Sequence, residues 1–125
     1  MKILLLIGAA GFAGTLARYG CVRLVDHWLP EFPWGTAAVN VAGALTAGFL
    51  FVFCRWKFQA CEEYFPVLFA GFLGAFTTFS TFALESARFF AEAQYGKFIA
   101  NVMLQNISGI CAALAGMYLA KVVFR

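Results

Sequence analysis

Apolar residues fill four stretches of this chain, and polar positions collect between them. A bilayer crossing needs about 20 mostly apolar residues. Residues 3–25, 35–54, 64–91 and 98–122 each supply that length. Residues 26–34 form a first loop, with Pro30 and Pro33 as turn formers and Trp28 and Trp34 as interfacial anchors. Residues 55–63 form a second loop, and residues 94–97 a short turn. The apolar runs lack the alternation of strands, and a four-stranded sheet in lipid would leave open edges. The expected fold is an all-α membrane protein, one four-span domain over residues 1–125. Lys2 followed by Ile3 to Ile7 could open a signal peptide, but the apolar character runs past residue 15 and no polar mature domain follows. A first membrane span is the better reading.

Composition strengthens this picture. Hydrophobic residues make up 63% of the chain, against roughly 45–50% in globular proteins. Charged residues are 12%, about half the usual share. Too few polar side chains remain to cover a small globule, so lipid is the expected solvent. The net charge of +3 is scattered, with no basic stripe for nucleic acid. Cys21, Cys54, Cys61 and Cys111 are widely spaced, without a CxxC pair, and read as small apolar fillers. The single histidine, His27, lies in a loop without a nucleophile or metal-ligand cluster, and no phosphate-binding glycine loop occurs. An enzyme is therefore not expected.

Four spans place both termini and the second loop on one face of the membrane. Lys2, Arg55, Lys57, Lys121 and Arg125 fall there, while Arg18, Arg23, Arg88 and Lys97 fall on the other. Five against four leaves almost no positive-inside bias. Either the exact flanks decide the orientation or the chain inserts both ways round, which would permit an antiparallel two-fold dimer. Small residues recur at helix-contact spacing: Gly8, Gly11 and Gly14; Gly43 and Ala47; Ala112 and Gly116.

Polar groups inside spans are costly and therefore informative. The third span gathers Thr77, Thr78, Ser80 and Thr81 just after Gly71 and Gly74. Twenty-eight residues in one helix would reach about 42 Å, beyond the ~30 Å hydrocarbon core. Either the helix tilts with its hydroxyls bonded one turn back, or it breaks near its middle. In the second case Thr77 or Thr78 caps the restarted half, and the freed carbonyls and amides can hold a cation and an anion. Phe76, Phe79 and Phe82 are three apart, along one side of a helix; they are either packing or a row of positive ring edges. Asn40, with Thr36 one turn before it, is either a bond between helices or an amide donor to a path. Asn101 and Gln105 are four apart and can face one path, whereas Asn106 and Ser108 point elsewhere. Arg18 either snorkels or is buried for structural reasons. Glu85 is placed near a mouth or beside Arg88.

These residues resemble a known family. Gly11-Phe12-Ala13-Gly14-Thr15-Leu16-Ala17-Arg18-Tyr19, then Gly35-Thr36 with Val39-Asn40 and Gly43, then residues 71–82 (GFLGAFTTFSTF) are similar to the Fluc (CrcB) fluoride channels, in length and order of spans as well. The resemblance implies an antiparallel dual-topology homodimer in the bacterial cytoplasmic (inner) membrane, exporting fluoride passively through two pores at the subunit contacts. It implies a third helix broken near its middle and a structural sodium ion held by the backbone carbonyls of Gly74 and Thr77. It implies fluoride contacts from Phe79, Phe82 and Asn40, with Thr36, Ser80 and Thr81 as neighbours and Arg18 as a structural residue. Ala75 departs from a glycine common in the family. The fourth span departs from its usual Tyr and Ser track, so Asn101 and Gln105 are carried as candidate donors. Two other classes compete. A proton-coupled exporter of the small multidrug type would need a deep carboxylate, for which Glu85 is the candidate. A non-transporting assembly subunit would use the polar cluster for helix contacts alone.

Overall fold

A computed structural model describes the backbone of residues 1–57 and 59–124 and the side chains of residues 1–56 and 63–124. Helix α1 spans Lys2–Trp28 and α2 spans Trp34–Lys57. The third membrane segment is composite. It begins with α3 (Gln59–Pro66), continues as a π-helix (Val67–Leu73), and ends its first half in the single turn α4 (Gly74–Phe76). After two residues, α5 runs Phe79–Ala91, and α6 runs Tyr95–Val123. Among the described residues, four stretches are long and apolar enough to cross a membrane: Lys2–Trp28, Trp34–Trp56, Glu63–Ala91 and Tyr95–Val123.

The helices outrun the expected boundaries. α1 continues three residues past position 25, and its last turn is closed by the Leu29 N–H donating to the Val25 carbonyl, just before Pro30. The carboxylate of Asp26 accepts from the Gly35 N–H at 2.9 Å, fastening the end of α1 to the start of α2. The second expected loop, 55–63, is largely helical, because α2 reaches Lys57 and α3 begins at Gln59. Its residue types, Arg, Lys, Gln, Ala and Glu, are good helix formers despite their polarity. The third connection shortens to three residues between Ala91 and Tyr95.

The packing is heaviest in two places. α2 and α6 share the most extensive contact, and α1 lies against the π-helix and α4. Glycines set both distances. Between α2 and α6, a Cβ on Gly48 would strike the Ala113 carbonyl and one on Gly116 the Leu45 carbonyl; between α1 and the π-helix, one on Gly14 would strike the Phe72 carbonyl. Gly48 was absent from the small-residue pattern drawn from sequence. Gly8, which belonged to that pattern, has open space around it.

Burial is inverted relative to a water-soluble domain. Leu5, Phe12, Tyr19, Phe79 and Tyr118 stand out from the surface, while Thr36, Thr78, Ser86, Asn101 and Gln105 are buried. Such a surface suits a lipid environment. Cys21 and Cys111 are free and exposed. Cys54 is buried and disulfide-bonded, which corrects its reading as a filler. Cys61 falls outside the described side chains.

Replacing Gly116 by isoleucine forces the α2–α6 crossing apart and is expected to cost about 1–3 kcal/mol or more. Gly8→Ala is expected to be neutral or to stabilise by up to about 1 kcal/mol. Thermal unfolding of the two variants in detergent checks the contrast; equal midpoints would contradict the packing described.

Candidate functional site

The site is built around two residues that leave helical geometry. Thr77 has φ −87° and ψ 159°, and Thr78 has φ −149° and ψ 109°. In a continuous helix the Thr78 N–H would donate to the Gly74 carbonyl and the Thr81 N–H to the Thr77 carbonyl. Here the Thr78 N–H donates to Asn40 Oδ1 at 2.8 Å, and the Thr81 N–H donates to Thr78 Oγ1 at 3.2 Å. Both carbonyls thereby lose their usual partners.

Asn40 of α2 repairs part of the interruption. Its carboxamide accepts from the Thr78 N–H and returns a bond from Nδ2 to the Thr78 carbonyl at 3.1 Å. One side chain therefore meets both polar groups of one extended residue, as a neighbouring strand would. The second N–H of Nδ2 donates to Gln105 Oε1 of α6 at 2.7 Å. The amide thus has both its donors committed. Gly43, one turn further along α2, has no room for a Cβ because Thr77 Cγ2 occupies that space. The missing side chain allows the interruption to sit against α2.

Local bonds finish the structure. Thr77 donates its hydroxyl to the Leu73 carbonyl at 2.9 Å. Thr78, not Thr77, caps α5. Its hydroxyl donates to Thr81 Oγ1 at 3.0 Å and lies 3.3 Å from Ser80 Oγ. From α1, Arg18 extends Nη1 to within 3.5 Å of the Thr77 carbonyl. That contact favours the structural role of Arg18 over snorkelling.

A cleft of about 400 Å³ opens beside this point, lined among others by Asn40, Gly74, Thr77, Phe79, Phe82 and Gln105. Phe79 is 78% exposed and Phe82 only 9%. Their rings are tilted by 59° with centroids 5.6 Å apart. Phe76 does not join them. It belongs to α4, before the interruption, and stacks on Phe72. The expected row of three rings is therefore a pair.

Other sequence candidates fall elsewhere. Ser80 and Thr81 are exposed at the start of α5 and bond to Thr78. Asn101 is wholly buried and takes no part in the cleft wall: it accepts from Gln105 Nε2 at 2.9 Å and donates to Ser86 Oγ at 3.0 Å. Asn106, expected to point away, lines the cleft while donating to the Val102 carbonyl. Thr36 is buried and donates to Glu85 Oε1 at 2.6 Å. Glu85 borders a second cleft with Asp26, Glu31, Arg88, Glu92 and Lys97 at one end of the molecule. Arg88 pairs with Glu92 at 3.6 Å, not with Glu85. Ser86 was missed from sequence. It donates to the Phe82 carbonyl one turn back, and so resembles any helical serine until Asn101 is seen beside it.

This arrangement defines a multi-pass membrane protein with a polar, helix-interrupted centre. The comparisons place it more closely. The profile described as "CrcB-like protein, Camphor Resistance (CrcB)" matches residues 5–117, and the chain belongs to that family. Curated relatives carry the name "Fluoride-specific ion channel FluC", which describes a channel and not an enzyme. One from Solidesulfovibrio magneticus is 42% identical over 118 residues, 94% of each chain. One from Legionella pneumophila (strain Lens) is 37% identical over 120 residues, 95% of this chain and 90% of the relative. One from Nitratidesulfovibrio vulgaris is 38% identical over 124 residues, 98% of this chain and all of the relative.

Thr78→Ala is expected to cost about 0.5–2 kcal/mol through loss of the α5 cap, with Thr78→Ser largely sparing it. Unfolding of both variants in detergent measures the difference; identical losses would remove the hydroxyl from the account.

Proposed function

We propose that this protein is a fluoride-selective channel that exports fluoride passively across the bacterial cytoplasmic membrane. The observation that carries the proposal is the cleft, which joins the ring pair Phe79 and Phe82 to the amides of Asn40 and Gln105 beside an interrupted helix. Fluoride holds its water strongly, so a path must offer replacement donors without gripping the ion as a fixed cation would. Ring edges and side-chain amides are donors of that strength. Both N–H groups of Asn40 are bonded within the protein, so Asn40 holds the wall and its amide neighbour in place while the ion passes along it. Thr36, Ser80 and Thr81 supply neighbouring hydroxyls. Asn101 serves behind the wall, not on it.

The functional unit is an antiparallel homodimer. The balanced charges permit both orientations, and exposed Phe79 and Gly74 leave the cleft open on one side. An inverted second copy would close it. The Gly74 carbonyl has lost its helical donor and the Thr77 carbonyl meets Arg18 Nη1 at a long 3.5 Å. The two would hold a structural sodium ion, Thr77 sharing its oxygen with the guanidinium, and the ion would keep the two extended residues in place. Glu85, the carboxylate a proton-coupled exporter would need, accepts from Thr36.

Liposomes loaded with fluoride or chloride test the reading. Wild-type protein is expected to release fluoride and retain chloride, without response to an imposed proton gradient. Phe82→Ile and Asn40→Asp are expected to slow fluoride release at least about tenfold, the effect of roughly 1.4 kcal/mol on the barrier. Unchanged release in both variants would reject the assignment of the path. Replacing sodium by N-methylglucamine is expected to lower the unfolding temperature, and an unchanged temperature would remove the cation from the proposal.

A further inference from the structure

Four side chains form a hydrogen-bonded line in which every donor points the same way. The Thr78 N–H donates to Asn40 Oδ1, and Asn40 Nδ2 donates to Gln105 Oε1. Gln105 Nε2 donates to Asn101 Oδ1, and Asn101 Nδ2 donates to Ser86 Oγ. The Ser86 hydroxyl then donates to the Phe82 carbonyl at 2.8 Å. The links measure 2.8, 2.7, 2.9, 3.0 and 2.8 Å, all within good hydrogen-bonding distance. Ser86, Asn101 and Gln105 are all buried, so water does not compete.

A row of carboxamides can in principle run in either direction, because each amide can turn over and exchange oxygen for nitrogen. This row cannot. Its first group is a main-chain N–H, which only donates, and its last is a main-chain carbonyl, which only accepts. Two backbone groups of fixed polarity therefore set the orientation of three side-chain amides between α2 and α6. Ser86 transmits the polarity at the far end: its single proton goes to Phe82, leaving its oxygen to accept from Asn101.

The consequence falls on Gln105, which is both a member of the row and part of the cleft wall. With Oε1 turned to Asn40 and one Nε2 proton to Asn101, the second Nε2 proton has no partner among the described residues. We infer that Ser86 and Asn101 are positioning residues, which lock Gln105 so that it presents N–H, and never its carbonyl oxygen, to an anion in the cleft. A turned-over Gln105 would place a partial negative charge where fluoride must pass. The use made of the device rests on the fluoride reading; the locked orientation does not.

The test uses full-length protein in lipid nanodiscs, with side-chain amides labelled by nitrogen-15. In wild type, Gln105 is expected to give one resonance pair that shifts on addition of sodium fluoride. Ser86→Ala is expected to split or broaden that pair, and Ser86→Thr, which keeps the hydroxyl, to restore it. In liposomes Ser86→Ala is expected to lower fluoride release about tenfold per folded channel and to narrow the margin over chloride, with Ser86→Thr again close to wild type. A Gln105 pair that ignores both fluoride and Ser86→Ala would overturn the inference, as would Ser86→Ala protein that loses thermal stability yet keeps its release rate and selectivity. If Ser86→Ala does not fold, the wild-type response of Gln105 to fluoride decides. Wild-type protein that passes no fluoride would reject the channel reading, while the splitting in Ser86→Ala would still decide the lock.

Discussion

The structure depends on one constraint: a main-chain N–H or carbonyl that leaves its helix in a hydrocarbon surrounding must find another partner or lose several kcal/mol. Thr78 is that case. Its extended backbone turns both polar groups out of the helical ladder, and Asn40 meets both with one carboxamide. The remaining features of the site follow from keeping that side chain in place. Gly43 lets Thr77 approach α2, Gln105 takes the spare amide proton, and the Thr78 hydroxyl caps the helix that restarts.

The same constraint explains why the molecule is polar inside and apolar outside. Large apolar side chains cover α1 and α6, where lipid is the neighbour. Amides and hydroxyls occupy the interior, where they bond to one another. Interhelical bonds of this kind are worth about 0.6–2 kcal/mol each in membranes, so the set matters more than any member. For the channel proposed above its value would lie in moderation: amide protons and ring edges would replace water around the anion, while Arg18 points to the Thr77 carbonyl instead. Orientation within the set is fixed by main-chain groups at its ends, so donor direction is inherited from the fold.

The four spans were legible because the apolar runs are long and the loops carry proline and tryptophan. Their ends were not, since residues such as Arg55 and Glu63 are polar yet continue helices at the membrane surface. Asn40, Gln105 and the threonines could be singled out because amides and hydroxyls within a span demand partners. Which partner each would take was not readable: Asn40 meets Thr78 across 38 positions, and Gln105 across 65. Ser86 gave no sign of its role, since bonding to the carbonyl four residues back is what any helical serine does. The π-helix of Val67–Leu73 left no compositional trace. It belongs to the half of the segment that packs on α1. Phe76 was grouped with Phe79 and Phe82 by spacing, a grouping that holds only while the helix is unbroken between them.

Solid-state NMR of the protein in bilayers, with threonine and asparagine labelled by carbon-13 and nitrogen-15, reads the central claim directly. The account predicts extended-backbone chemical shifts for both Thr77 and Thr78, and a close dipolar contact between Asn40 Nδ2 and the Thr78 carbonyl carbon. Helical shifts at both threonines, with Asn40 remote from Thr78, would contradict it.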